Sequence, residues 1–329
     1  MPTVSGAGWL PEQFHLLLPD DMSVVVQSIT KLFGQQKALN NVTFTVNAGQ
    51  VVGFLGPNGA GKSTMMKIIT CFLPQTEGTV TVEGFDVLEY PLEVRRRVGY
   101  LPEHNPLYHD MYVKEFLEFA GGIQLPSRDI AARVKKMIEM TGLGPEQHKK
   151  IGALSKGYRQ RVGLAQAMIH EPSVLILDEP TTGLDPNQLV DIRQLIRNIG
   201  KEKTVILSTH IMQEVEAICD RAVIINKGVI VADDETPKLR QAFAGETIVI
   251  VEFDKAVEAS QLKQVSGVSS VDVVNATTFR IRARGKEDIR AAIFRFAVEK
   301  NIAVITLRQE TGSLEEVFRQ LTAVADGVK

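Results

Sequence analysis

"VVGFLGPNGAGKSTMMKIIT", Val51 to Thr70, is the stretch on which the whole reading turns. Within it Gly56 to Thr64 fit G-x-x-x-x-G-K-[ST], with a strand pattern before the loop and a helix pattern after it. Its glycines let backbone N–H groups curl around phosphate oxygens where a Cβ would collide. Lys62 supplies a point charge for β- and γ-phosphates, and the Ser63 hydroxyl suits Mg²⁺. The candidate phosphate ligands are therefore Gly56, Pro57, Asn58, Gly59, Ala60, Gly61, Lys62, Ser63 and Thr64.

Outward from this loop, strand and helix patterns alternate. Upstream, "VVVQSITKLF" (24–33) and "LNNVTFTV" (39–46) read as strands with a turn between them. Downstream come "TVTVEG", "RVGYLPE", "VLILDEP", "PNQLVDIRQLIRNIG", "TVILSTH", "IMQEVEAICD" and "RAVIINKG". Apolar strands between amphipathic helices predict an α/β sheet, mostly parallel and covered on both faces. A helix-rich stretch over about 104–165 interrupts the rhythm and predicts a helical sub-domain. After Gly245 the order β-α-β-β-α-β predicts a small α+β ferredoxin-like domain, with a closing helix "SLEEVFRQLT" over 313–322. The expected domains are an N-terminal extension, 1–21, without fixed structure; a nucleotide-binding domain, 22–243; and an accessory domain, 244–329.

Two further stretches carry chemistry. "VLILDEP" (174–180) is an apolar strand that delivers two carboxylates at its C-terminal end, where open α/β sheets bind ligands. Asp178 suits the Mg²⁺ water shell, and Glu179 suits a general base that polarises an attacking water. "TVILSTH" ends a second such strand at His210, within the range of roles open to a γ-phosphate contact. "LSKGYRQRV" (154–162) places Ser155, Lys156 and Gly157 at a helix entrance, which is a second place for an anion in one chain.

Taken together and in this order, "GPNGAGKST", "LSKGY", "VLILDEP", "GLDP" and "STH" resemble the nucleotide-binding subunit of ABC transporters, over residues 22 to about 240. The resemblance implies a P-loop ABC ATPase cassette that binds ATP with Mg²⁺. It makes Gly56 to Thr64 the Walker A, Asp178 the Walker B acid, Glu179 the catalytic base, Asp185 a D-loop residue and His210 the switch histidine. Phe33 stands where the family stacks an aromatic on adenine, and Glu103 where many members carry the Q-loop glutamine that reaches the metal. Leu154, Ser155, Lys156, Gly157 and Tyr158 are similar to the signature LSGGQ, with Lys156 and Tyr158 in place of the second Gly and the Gln. In the family this segment completes the partner's ATP site, so the second anion site implies a head-to-tail dimer around two ATPs. "YLPE" with "LYHDMYVKEFLEF" resembles the ABC-2 exporter-type branch, and most closely its gliding-motility-associated ATPases. The partners implied are separate transmembrane permease subunits and a second copy of the chain or a paralogous ATPase. The place implied is peripheral, at the cytoplasmic face of the cell membrane.

The bulk numbers agree with this and narrow the rivals. With 44% hydrophobic and 23% charged residues the chain has ordinary globular composition. Its net charge of -2 argues against nucleic acid as a partner. No apolar run reaches the ~18 residues of a membrane span. The first basic residue is Lys31, so the basic start of a secretory signal is missing. Two cysteines read as reduced structural thiols, Arg95-Arg96-Arg97 as a solvated helix face, and the six histidines show no metal-ligand spacing. The alternative function is a soluble ABC ATPase acting on ribosomes or nucleic acid. A P-loop kinase leaves "LSKGY" and "GLDP" unexplained.

Overall fold

The computed structural model describes residues 22–243, 248–284 and 288–310, together with residue 318. The expected extension over 1–21 lies outside these residues, as does the closing helix apart from residue 318. Two compact units divide at Asp233 and Asp234, upstream of the boundary expected from sequence.

The first unit starts with β1 (Met22–Phe33) and β2 (Gln36–Asn47), a hairpin turned at Gly34. Then come β3 (Val51–Leu55), α1 (Lys62–Ile69), β4 (Glu77–Val82), β5 (Phe85–Asp86), α2 (Pro91–Arg97) and β6 (Val98–Leu101). Three helices follow: α3 (Val113–Gln124), α4 (Ser127–Met140) and α5 (Lys156–Met168). The unit continues through β7 (Val174–Asp178), α6 (Pro186–Gly200), β8 (Thr204–Thr209), α7 (Met212–Ile218), β9 (Arg221–Asn226) and into β10 (Val229–Glu235).

Strands β3, β7 and β8 are buried at every residue, as continuous apolar runs must be when helices cover both faces of a sheet. Their sheet has the order β10-β9-β3-β8-β7-β6, and β9, β3, β8, β7 and β6 pair in parallel. The upstream strands do not join it. β2-β1-β4-β5 form a separate antiparallel sheet, in which tight turns join β1 to β2 and β4 to β5. Helix α1 sits between the two sheets: Met65, Met66, Ile68 and Ile69 share one core with Val24, Val26 and Ile29 on one side and Val52, Phe54 and Ile206 on the other. The loop ahead of α1 is thus fixed from two directions.

Arg97 departs from the solvated face expected of the arginine triplet. Its guanidinium stacks 4.0 Å from the Phe85 ring centroid and pairs with Glu83 and Glu93. Neither cysteine is in a disulfide, and burial pushes the Cys219 thiol up.

Behind α5, His170 donates from Nε2 to the Val98 carbonyl at 3.2 Å, while its buried Nδ1 has no partner among the described residues. Burial, opposed by that hydrogen bond, lowers its pKa. The folded chain therefore resists a proton that the unfolded chain accepts near pH 6.5, so stability is lost as pH falls below about that value. Urea midpoints at pH 8 and pH 5.5 should diverge more for the wild type than for His170→Gln. Equal divergence would assign the acid sensitivity to other groups.

The second unit holds α8 (Thr236–Phe243), β11 (Ile248–Phe253), α9 (Ala259–Leu262), β12 (Val268–Val273), β13 (Thr278–Ala283), α10 (Arg290–Glu299) and β14 (Val304–Glu310). Its strands form one antiparallel sheet, β12-β13-β11-β14, the arrangement of a ferredoxin-like fold. Val249, Val251, Phe279 and Ile281 on the sheet pack with Leu262 of α9 and Ile293 of α10. Helix α9 is a single turn, shorter than its sequence suggests. Gly267, at φ 85, closes the connection to β12.

Candidate nucleotide site

Because β3, β8 and β7 are neighbours in that order, their C-terminal ends bring three distant segments to one edge of the sheet. β3 leads into the loop 56–61, β7 ends at Asp178, and β8 ends just before His210. The loop is held open by its glycines. Gly61 has φ 108, and a Cβ there would stand 2.6 Å from the Ala38 carbonyl oxygen. As N-cap of α1 it offers no side chain, so the first N–H groups of the helix face outward, uncapped and suited to an anion.

Lys62 is 6% exposed. Its ammonium donates to the carbonyls of Gly56 at 2.8 Å and Pro57 at 3.3 Å, and lies 3.4 Å from Glu179 Oε1. Ser63 Oγ donates to Asp178 Oδ1 at 3.1 Å, and Ser208 Oγ donates to the same oxygen. Asp178 is fully enclosed, one layer behind the cleft wall. Tyr100, on β6, has a buried hydroxyl with no partner among the described residues; burial and then the Asp178 and Glu103 carboxylates push its pKa up.

Glu179 extends the ladder by one bond, donating its N–H to the Ser208 carbonyl at 3.0 Å, before φ 51 folds the chain back. The carboxylate accepts from His210 Nδ1 at 2.8 and 3.0 Å and from Thr182 Oγ1 at 3.0 Å. The histidine is itself held from below. Thr209 Oγ1 accepts from the Ile211 N–H at 3.1 Å and donates to Glu214 at 2.8 Å.

A cleft of about 830 Å³ gathers these groups. It is lined by Phe33, Gln36, Lys37, Ala38, Asn58, Gly59, Gly61, Lys62, Ser63, Thr64, Glu103, Glu179, Thr182, His210 and Lys227. At one end stands an apolar ring, half-exposed Phe33, with Lys31 Nζ 5.2 Å from its centroid. At the other stand a cation, hydroxyls and carboxylates. A nucleoside triphosphate has the same polarity along its length.

Gly56, Pro57 and Ala60 shape the loop without lining the cleft. Leu154, Ser155, Lys156, Gly157, Tyr158 and Asp185 are not part of the cleft wall either. Ser155 caps α5, its Oγ accepting from the Tyr158 N–H at 3.4 Å. Asp185 caps α6, accepting from the N–H groups of Asn187 at 3.1 Å and Gln188 at 3.0 Å. The two helix starts press together: a Cβ on Gly157 would stand 2.7 Å from Gln188 Cδ. Sequence reasoning passed over Ser208, Thr182, Lys37 and Lys227. Only Ser208 carried a signal, a hydroxyl at the end of a buried strand.

A family profile described as ABC transporter matches residues 39–182, and one described as ATP-binding protein DrrA1-3-like, C-terminal domain, matches 236–322. A profile described as AAA domain, putative AbiEii toxin, Type IV TA system, matches 150–216. The uncharacterized ABC transporter ATP-binding protein YxlF of Bacillus subtilis (strain 168) is 34% identical over 296 residues, 89% of this chain and 97% of its own length. The Nod factor export ATP-binding protein I of Rhizobium meliloti (strain 1021) is 33% identical over 303 residues, 92% of this chain and 88% of its own. Among solved structures, the dimeric post-hydrolysis state of the ATP-binding cassette MJ0796 bound to ADP and Pi superposes with a TM-score of 0.59 at 26% identity, covering 64% of this chain and 98% of that one.

Proposed function

The chain belongs to the ABC transporter ATP-binding proteins, and on that premise we propose that it is the peripheral ATPase of an exporter, at the cytoplasmic face of the cell membrane beneath separate permease subunits. It binds and hydrolyses ATP as a dimer, like the cassettes it resembles. The observation that carries the assignment of roles is the meeting of Lys62, Ser63, Asp178, Glu179 and His210 at one sheet edge. The Nod factor export relative and the DrrA-like C-terminal profile support the exporter reading. Within that branch, Tyr100 to Glu103 and Leu107 to Phe119 support a place near the gliding-motility-associated ATPases.

In this reading adenine stacks on Phe33, and the phosphates lie along Gly56 to Thr64. Lys62 exchanges its carbonyl and carboxylate contacts for the β- and γ-phosphates. Glu179 takes a proton from the attacking water, and His210 holds Glu179 from one side while facing the γ-phosphate. Ser63 Oγ, on the cleft wall, would hold Mg²⁺, with Asp178, 3.1 Å behind it, and Glu103 facing its water shell. Among the described residues no group of three or more His, Cys, Asp or Glu can hold a metal alone, which suits an ion bound chiefly through substrate phosphates. Bound there, Mg²⁺ neutralises phosphate charge. Ser155 and Gly157 cap the γ-phosphate of the ATP held by the partner, whether a second copy or a paralogue. The first unit, to Asp233, forms the engine, with the helical sub-domain over about 104–165 passing its closure to the permease, and the second unit, from Asp234, is an accessory domain.

No helix among the described residues is long and apolar enough to cross a membrane, so the reading needs a separate membrane subunit. Purification from solubilised membranes should bring down a polytopic membrane protein that raises ATP turnover on reconstitution. Co-sedimentation with ribosomes or nucleic acid instead would favour the soluble ABC ATPase.

A further inference from the structure

The carboxylate of Glu179 is 6% exposed, and its two oxygens have different company. Oε2 accepts from Thr182 Oγ1 at 3.0 Å and from His210 Nδ1 at 2.8 Å. Oε1 has the longer His210 contact, 3.0 Å, and Lys62 Nζ at 3.4 Å. Thr182 stands three residues beyond Glu179, in a turn closed by its own N–H donating to the Glu179 carbonyl at 3.3 Å. Glu179 sits at φ 51, so backbone and side chain are both aimed by this turn. One neighbour of the carboxylate differs in kind. Lys62 is drawn by any phosphate that enters the loop, whereas the Thr182 hydroxyl belongs to the turn that carries Glu179 itself.

We propose that Thr182 is a positioning residue for ATP hydrolysis: by donating to Oε2 of Glu179 it leaves Oε1 as the oxygen that receives the proton of the attacking water. The inference rests on the assignment of Glu179 as the base. Without nucleotide, Lys62 covers Oε1. When ATP takes Lys62 to its phosphates, the coverage is removed from Oε1 alone, and Oε2 keeps Thr182 and His210. The water then meets at Oε1 one fixed acceptor that keeps only the longer His210 contact. Its oxygen bonds to the γ-phosphorus, its proton passes to Oε1, and the bond from that phosphorus to the bridging oxygen breaks with its electron pair leaving on ADP. Without the Thr182 donor the carboxylate can turn about its terminal torsion, and the acceptor is no longer held against the water. General-base efficiency depends on that geometry.

Four variants of the full chain test this, Glu179→Gln among them, with turnover and equilibrium ATP binding measured on each. Thr182→Val keeps the shape and removes the donor; kcat should fall about ten-fold while ATP affinity stays within about two-fold. Thr182→Ser restores a donor and should return kcat to within about two-fold of wild type. Adding Thr182→Val to Glu179→Gln should slow turnover no further, since the two act through one group. Undiminished kcat in Thr182→Val, a Ser variant as slow as the Val variant, or an equal loss of ATP binding would each overturn the positioning role. If Glu179→Gln itself turns over at the wild-type rate, the base assignment falls and this role with it. If Glu179→Gln is slow and Thr182→Val is not, only the role of Thr182 falls.

Discussion

Glu179→Gln should cut ATP turnover by about a hundred- to ten-thousand-fold, the usual range for loss of a positioned general base, while ATP binding persists. The amide fills the same space and still accepts from Thr182 and His210, but it takes no proton from water. The phosphate loop is untouched, because Lys62 keeps its bonds to the Gly56 and Pro57 carbonyls. There is a second consequence. Lys62 and Glu179 are a buried ion pair, 3.4 Å apart and each 6% exposed. Removing one charge leaves the other uncompensated, which destabilises the nucleotide-free chain. A triphosphate supplies the missing negative charge. The variant should therefore melt below wild type without nucleotide, gain more than wild type from ATP, and accumulate as a dimer that persists on size exclusion. Turnover within a few-fold of wild type would remove Glu179 from the role of base.

What the sequence made legible follows from how local each feature is. The loop from Gly56 to Thr64 was readable because a strand, a glycine-rich turn and a helix start occupy consecutive residues. The buried strands β3, β7 and β8 were readable for the same reason, as unbroken apolar runs. Their order in space was not. β7 lies between β8 and β6, so Asp178 meets Ser63 across 115 positions of sequence, and only the resemblance to a known family anticipated the meeting. Helix α2 was legible only at its arginine triplet, because it has seven residues and one buried position, too few for a period to show. The antiparallel sheet escaped because strand patterns say which residues pair inward and not which sheet they join. Thr182 escaped for a different reason. It reaches the Glu179 carboxylate only because φ 51 reverses the chain, and that angle leaves no mark in the residue types around it.

The second large effect is recovery rather than loss. Lys62→Ala should abolish turnover by removing the cation of the phosphate loop, and Ser155→Arg should do the same by placing bulk and charge at the start of α5. Neither site of a symmetric mutant dimer is then complete. Ser155 is 3.4 Å from the N–H it caps and is exposed, so its replacement costs about 1 kcal/mol of helix capping, too little to unfold a helix with eight buried residues. In a mixed dimer the outcome depends on how the half-sites are shared. If the signature of one copy completes the loop of the other, both lesions fall in one composite site and the second site is wholly wild type. Random pairing makes about half the dimers mixed, each with one intact site, so an equimolar mixture should regain up to about a quarter of wild-type activity per chain. If each copy completes its own site, mixing restores nothing. A null result also arises when both sites must fire together, and geometry separates the two. Ser155→Cys on one copy and Asn58→Cys on the other should crosslink across the dimer in the presence of ATP if the signature faces the partner's loop. No rescue with an ATP-dependent crosslink means shared but coupled sites. No rescue and no crosslink means that "LSKGY" serves its own chain, and the second anion site has some other purpose.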